Sequence, residues 1–194
     1  MKPAEVWAIR VRLQISNNKR DLALFNLAVD SKLRGCDLLR IKVSDMQTGS
    51  EIRSRAKILQ SKTGNPVQFE VTKCTREAID KWCRFKSLQP YDWLFPSRKN
   101  RNRHLTTRQY ARLVDSWISS IDLPRSSYAT HSMRQTKATL IYRKTANLRA
   151  VQLLLGHTKI DSTVRYLGVE VEDALALAES IDCLLYTSPS PRDS

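Results

Sequence analysis

No stretch of this 194-residue chain approaches the roughly eighteen consecutive apolar residues that a membrane-crossing helix requires. No basic-then-apolar leader opens it, so a soluble, cytoplasmic protein is expected. The four cysteines, Cys36, Cys74, Cys83 and Cys183, stand apart, without a CxxC pair or a histidine cluster beside them. That scatter argues against zinc and, in a reducing cytosol, against disulfides. Histidine is scarcer still: His104, His131 and His157 are the three, and no two sit at a metal-ligand spacing such as HxxxH. Chemistry without a protein-held metal or other cofactor is the expectation. The sequence also lacks an internal repeat, a convincing linker, and a helix with Trp or Phe along one face that would lie on a membrane.

Positive charge is what the chain has in excess. Lys and Arg number 33 against 19 Asp and Glu, a net charge of +14. Solubility asks for a smaller imbalance. A compact domain this basic is built to meet a polyanion, and nucleic acid is the first candidate. Apolar residues make up 41% of the chain, enough for one domain with a real core.

Apolar spacing predicts a helix from Pro3 to Ile15 through Val6, Ile9 and Leu13, broken at Asn17-Asn18. A second helix is expected from about Asp21 to Val29, and Leu38 to Val43 reads as a short helix running into a strand. Ile52 to Leu59 and Val67 to Val71 are strand-like, and the turn signal Lys62-Thr63-Gly64-Asn65-Pro66 between them makes a hairpin. Thr72 begins a helix with Ala78, Ile79 and Trp82 on one side. A loop with Pro90, Pro96 and a basic run from Arg98 to Arg103 follows, then a helix from Thr107 to Ile118. Further helices are expected over 131–143, 147–154, 159–166 and 170–181. The fold class is α+β, mainly helical, with one small antiparallel sheet.

Residues 183–194 depart from the acidic helix before them. Back-translated, they resemble a sequencing adapter read in frame, and a natural Ser/Pro-rich disordered tail has the same composition. The expected division is therefore one domain over 1–182 and a non-native or disordered tail over 183–194, which sets Tyr186 aside.

Six polar residues remain: Arg34 in LRGCDLL, Lys62 in QSKTGN, His131 and Arg134 in THSMRQTKAT, His157 in LLLGHT, and Tyr166 in STVRYLGV. Each has an ordinary reading alone. Arg34 is a solvated arginine at a helix end, with Asp37 one turn on to orient it. Lys62 is an exposed hairpin tip. His131 and Arg134, three apart, share a helix face as a core histidine and a surface arginine. His157 opens a helix, and Tyr166 packs as aromatics do. Their order and spacing carry more than any one of them.

That order resembles the tyrosine recombinase (phage integrase) family: an early arginine, a lysine in a β-hairpin turn, HxxR, a histidine, then the tyrosine. The likeness runs from about Leu22 to Tyr166. It implies the family's catalytic-domain fold and site-specific cutting and rejoining of DNA through a 3′-phosphotyrosine at Tyr166, without metal or ATP. Arg34 and Arg134 would grip the nonbridging phosphate oxygens with planar forks that a lysine cannot copy. Tyrosine's ordinary pKa is about 10, so ionising it at neutral pH costs roughly 4 kcal/mol, which a base and a positive pocket must offset. By resemblance His131 takes the phenolic proton, Lys62 protonates the departing 5′ oxygen, and His157 hydrogen-bonds the phosphate.

The resemblance further implies double-stranded DNA as substrate and a homotetramer on paired sites. The acidic helix Glu170 to Ser180 would reach a neighbouring subunit or pack on its own. A cytoplasmic, nucleoid-associated setting in a bacterium, phage or mobile element is implied as well. Arg98, Lys99, Arg101, Arg103, Lys137, Arg143 and Lys144 are candidates for DNA-backbone contacts. Two departures stand out: nothing before residue 22 is long enough for the family's core-binding domain, and Arg134 is followed by Gln135 where a histidine is common. Rival readings are a type IB topoisomerase-like relaxing activity and a catalytically idle DNA-binding remnant.

Overall fold

The structure is a computed structural model that describes residues 1–167. Helix α1 (Pro3–Ile15) begins on a proline, whose fixed φ suits a first turn. It buries Val6, Ile9 and Leu13, the residues whose spacing predicts it. Helix α2 (Lys19–Ser31) starts earlier than its apolar residues signal, because the Asn18 side chain accepts the Asp21 N–H and caps the first turn. Leu24, Phe25 and Leu27 are fully sealed. A helix buried all round is a core element. Here α1 packs against α2, as do α5 (Lys73–Lys86) and α7 (Thr130–Thr145).

The run from Leu38 to Val43 is not one helix entering a strand. It is divided into α3 (Gly35–Leu39) and α4 (Val43–Met46), with Lys42 bridged to Trp93 between them. The expected single sheet is likewise two antiparallel ribbons. Strand β1 (Gln47–Thr48) pairs with β2 (Glu51–Ile52), and β3 (Arg55–Leu59) pairs with β4 (Pro66–Glu70). Arg53 breaks the expected strand, its backbone N–H donating to the Met46 carbonyl and its side chain to Gln47 and Thr48. Helix α6 (Thr107–Ser119) is capped by Thr106, and its Trp117 meets Phe25 edge to face at 5.5 Å. Helices α8 (Leu148–Leu155) and α9 (Ile160–Leu167) complete the described chain. The helix expected over 170–181 and the tail 183–194 lie outside the described residues. No helix among the described residues is long and apolar enough to cross a membrane.

A partly buried group of charges fastens three of these elements together. Lys32, fully buried in the left-handed conformation at the end of α2, sends its Nζ to the Glu70 carboxylate of β4 at 2.9 Å. Lys137 of α7 reaches both Glu70, at 2.6 Å, and Asp30 of α2, at 2.9 Å. Asp30 also accepts the hydroxyls of Thr72 and Thr75. Burial works to raise its carboxyl, but these hydrogen bonds and Lys137 outweigh it and hold the pKa below the usual carboxylate range. Lys137, a candidate for DNA-backbone contact, is thus paired with two carboxylates. It joins α2, β4 and α7, the elements next to Arg34, the hairpin and HxxR.

Candidate active site

Arg34 is the residue before α3, three positions past the end of α2, and is half-buried. The left-handed turn at Lys32 brings the chain round to it. Asp37 does not orient its guanidinium. The Asp37 Oδ1 instead accepts the Ser61 backbone N–H at 2.9 Å, and Arg34 NH1 donates to Gln60 Oε1 at 2.9 Å.

Arg134 lies on the second turn of α7 and is only 6% exposed. Its NH2 donates to the Leu155 carbonyl at 2.9 Å and faces His157 Nε2 at 3.3 Å. Burial lowers its pKa, with the nearby Arg34 cation adding to the effect and Tyr166 opposing it; a guanidinium nonetheless stays charged at neutral pH. Its Nε is buried without a hydrogen-bond partner among the described residues.

His157 follows Gly156, the left-handed cap of α8. A side chain at Gly156 would collide with Val67 and crowd the Gln60 amide, so the glycine lets the hairpin approach α8 closely. Buried Gln152 accepts the His157 N–H and donates to the His157 and Thr158 carbonyls, fixing the turn. Because an arginine only donates, His157 Nε2 is the acceptor toward Arg134, and Nδ1 carries the proton toward Thr163 Oγ1 at 3.1 Å. Burial, then Arg134 and Arg34, depress the imidazole to about 4, so it is neutral at physiological pH.

Tyr166 on α9 closes the site. Its ring lies 5.4 Å from the Arg134 guanidinium and meets the His157 ring edge-on at 5.6 Å. The hydroxyl is buried, and it too has no hydrogen-bond partner among the described residues. Burial raises the phenol to about 12, although both arginines pull the other way. Gln135, where a histidine is common, donates to the Tyr166 backbone carbonyl at 2.9 Å and ties α9 to α7. The departure thus has a structural use.

Arg34, Arg134, His157 and Tyr166 are gathered in this way. Lys62 and His131 stand at the margin, exposed on the β3–β4 turn and on the first turn of α7. Nothing in the sequence singles out Gln60, Gln152 and Thr163, since a lone glutamine or threonine carries no pattern of its own. Among the described residues no group of three or more His, Cys, Asp and Glu side chains could hold a metal ion.

The remaining backbone candidates are spread out. Arg101 braces its own loop, donating to the Ser87 carbonyl and to Asp92. Arg98 lies with Arg20 at the opposite end of α2 from Arg34. At ~1.5 Å per helical residue that separates it from the site by roughly 20 Å. Lys99 and Arg103 are exposed on the same loop, and Arg143 and Lys144 at the end of α7.

A family model described as the phage integrase family matches residues 1–172. The chain belongs to the phage integrase family. YoeC of Bacillus subtilis, named a probable integrase/recombinase, is 25% identical over 162 residues, spanning 84% of each chain. The tyrosine recombinase XerC of Erythrobacter litoralis is 30% identical over 159 residues, 81% of this chain and 49% of its own. The fold matches that of the site-specific recombinase XerH, solved bound to its difH substrate before cleavage. That match has a TM-score of 0.73 at 21% identity, over 92% of this chain and 52% of XerH. This family member therefore spans about half the length of XerC and XerH.

Proposed function

We propose that this chain is the catalytic domain of a site-specific recombinase that cuts and rejoins double-stranded DNA through a 3′-phosphotyrosine at Tyr166, with residues 1–182 as its extent. One observation carries the reading: the buried Arg134 Nε and the buried Tyr166 hydroxyl both lack partners among the described residues, in one cationic pocket. Buried polar atoms are ordinarily paired. A phosphodiester entering the pocket supplies an acceptor for the arginine and an electrophile for the phenol. YoeC and XerC are named as recombinases, which supports the same chemistry.

In this reading Arg34 and Arg134 hold the nonbridging oxygens and stabilise the charge that builds on phosphorus. Tyr166 attacks that phosphorus. With its phenol held near 12, the proton leaves during attack instead of beforehand. His131, three residues before Arg134 on the same helix, takes that proton. Neutral His157 accepts from Arg134 and so fixes it; to hydrogen-bond the phosphate as well, its one N–H must leave Thr163. Lys62 gives its proton to the departing 5′ oxygen, and its place on an exposed turn lets the long stem reach the scissile bond. The phosphotyrosine conserves the bond energy, so the 5′ hydroxyl of another strand attacks it and regenerates the phenol. Exchange of two strand pairs in turn requires paired sites, and a homotetramer supplies four such tyrosines.

Covalent capture tests this. The protein is incubated with a library of nicked duplexes and four-way junctions, denatured, and the DNA retained on it is sequenced. Adducts that vanish in Tyr166→Phe are expected, and their sequence names the target. Salt-sensitive DNA binding with no adduct would turn the reading toward a non-cleaving DNA-binding module. Adducts that only relax supercoiled circles would turn it toward a topoisomerase.

A further inference from the structure

We infer that Gln60 is a positioning residue that holds the two clamp arginines at a fixed spacing, an assignment that rests on the recombinase reading above. Gln60 is 1% exposed, at the end of β3 and two residues before Lys62. Its Oε1 accepts from Arg34 NH1 at 2.9 Å and from Thr63 Oγ1 at 2.9 Å, which uses both lone pairs. Its Nε2 donates to the Leu155 carbonyl at 3.2 Å. That same carbonyl accepts from Arg134 NH2 at 2.9 Å. One carboxamide therefore connects Arg34, directly, to Arg134, through a single shared oxygen.

Chemistry fixes the direction of this amide. An arginine only donates and a carbonyl only accepts, so one flip state satisfies both ends and the other satisfies neither. A glutamate here would lose the donor to Leu155 and set an anion between the two cations. A methionine of similar volume would leave the Leu155 carbonyl and Arg34 without these partners. An asparagine is shorter by one methylene and cannot span both. The joint also includes the catalytic surroundings: Leu155 ends α8, Gly156 packs on Gln60, and His157 follows. Arg34, Lys62, Arg134 and His157 come from four separate segments; Gln60, on the segment of Lys62, bonds those of Arg34 and His157 directly and reaches that of Arg134 through the Leu155 carbonyl. Fixed spacing matters because two forks must meet one phosphate, and a misplacement of about 1 Å at a reacting centre costs on the order of a hundredfold in rate.

The test uses Gln60→Met and Thr63→Val in the full chain, with the duplex recovered by covalent capture as substrate. For Gln60→Met we expect the cleavage rate at saturating DNA to fall ~30-fold or more while DNA affinity changes less than about threefold, since charge is kept and geometry lost. For Thr63→Val, an exposed position that does not threaten folding, a fall of roughly threefold in rate is expected from the lost hydrogen bond to Gln60, the bond from the Asn65 N–H being local to the turn. A second readout needs no cleavage: inorganic tungstate is titrated into protein labelled with ¹⁵N at arginine. In wild type the Arg34 and Arg134 Nε–H signals move together with one affinity; in Gln60→Met they move separately. Wild-type rates in both variants, or arginines that still move together without Gln60, would overturn the assignment and leave the recombinase reading standing. Should Gln60→Met not fold, Thr63→Val at the wild-type rate would overturn it alone. Tungstate that moves neither arginine in wild type, with no DNA adduct, would overturn both readings.

Discussion

Around α2 the chain is sealed by hydrocarbon: Leu24, Phe25, Leu27 and Ile9 are fully buried, and Trp117 and Tyr110 of α6 close over them. Beyond α7 the arrangement is different. Helices α8 and α9 bury Val151 and Leu155 against Ala138, with Tyr166 and Leu167 partly covered beside them. What locates this second region is polar: Gln152 on the turn, Gln135 on the Tyr166 carbonyl, Gln60 and Arg134 on the Leu155 carbonyl. The difference teaches where each kind of force is used. Apolar burial makes the body, and directed hydrogen bonds aim the candidate site residues carried on its edge.

Breaking the body should abolish everything at once. Phe25→Ala removes a fully buried ring and is expected to destabilise the protein by about 3–5 kcal/mol, visible as a large fall in the denaturation midpoint with binding and cleavage lost together. Breaking the polar region should separate chemistry from fold. Arg134→Gln is expected to cut cleavage at saturating DNA by roughly 10²–10³-fold, the scale of one lost transition-state donor, with native circular dichroism retained.

Acid sharpens the comparison through His157. Its folded pKa, near 4, lies below the ordinary imidazole value, so the unfolded chain binds the proton more readily. The stability it contributes is whole above about pH 6.5 and is lost as pH falls toward 4. Asp30 and Glu70, whose pKa values are also lowered, weaken with acid in the same direction. His157→Gln should therefore flatten the stability-against-pH curve between these limits by at most about 1.4 kcal/mol per pH unit, and leave the rest to the carboxylates. The smallest effect belongs to Arg98, at the far end of α2. Arg98→Ala should leave the saturating cleavage rate unchanged and reduce the slope of log affinity against log salt by about 0.9, the loss of one phosphate contact.

The same division governs what the sequence made legible. Helix α1 announces itself through Val6, Ile9 and Leu13, and the β3–β4 hairpin through Gly64-Asn65-Pro66, because those signals are local. The division of 52–59 between two ribbons was hidden, since it depends on Arg53 bonding back to Met46 and Gln47. The six candidate residues were legible from order and spacing, and four of them meet in one pocket. The residues that join them were not. Gln60 finds Leu155 across 95 positions, and Lys137 finds Asp30 across 107. Lys137, which composition counts toward the basic surface, is held between two carboxylates, because that pairing is a property of the fold and not of composition.

Whether Tyr166 makes the covalent bond is read most directly from the adduct itself. Proteolysis of the captured adduct, followed by mass spectrometry, locates the nucleotide on the peptide, and kinase labelling reads the released DNA end. A nucleotide joined to the Tyr166 peptide through a 3′ phosphate is expected, with a free 5′ hydroxyl on the departing strand. A linkage at any other residue, or a 5′-phosphotyrosine, would contradict it.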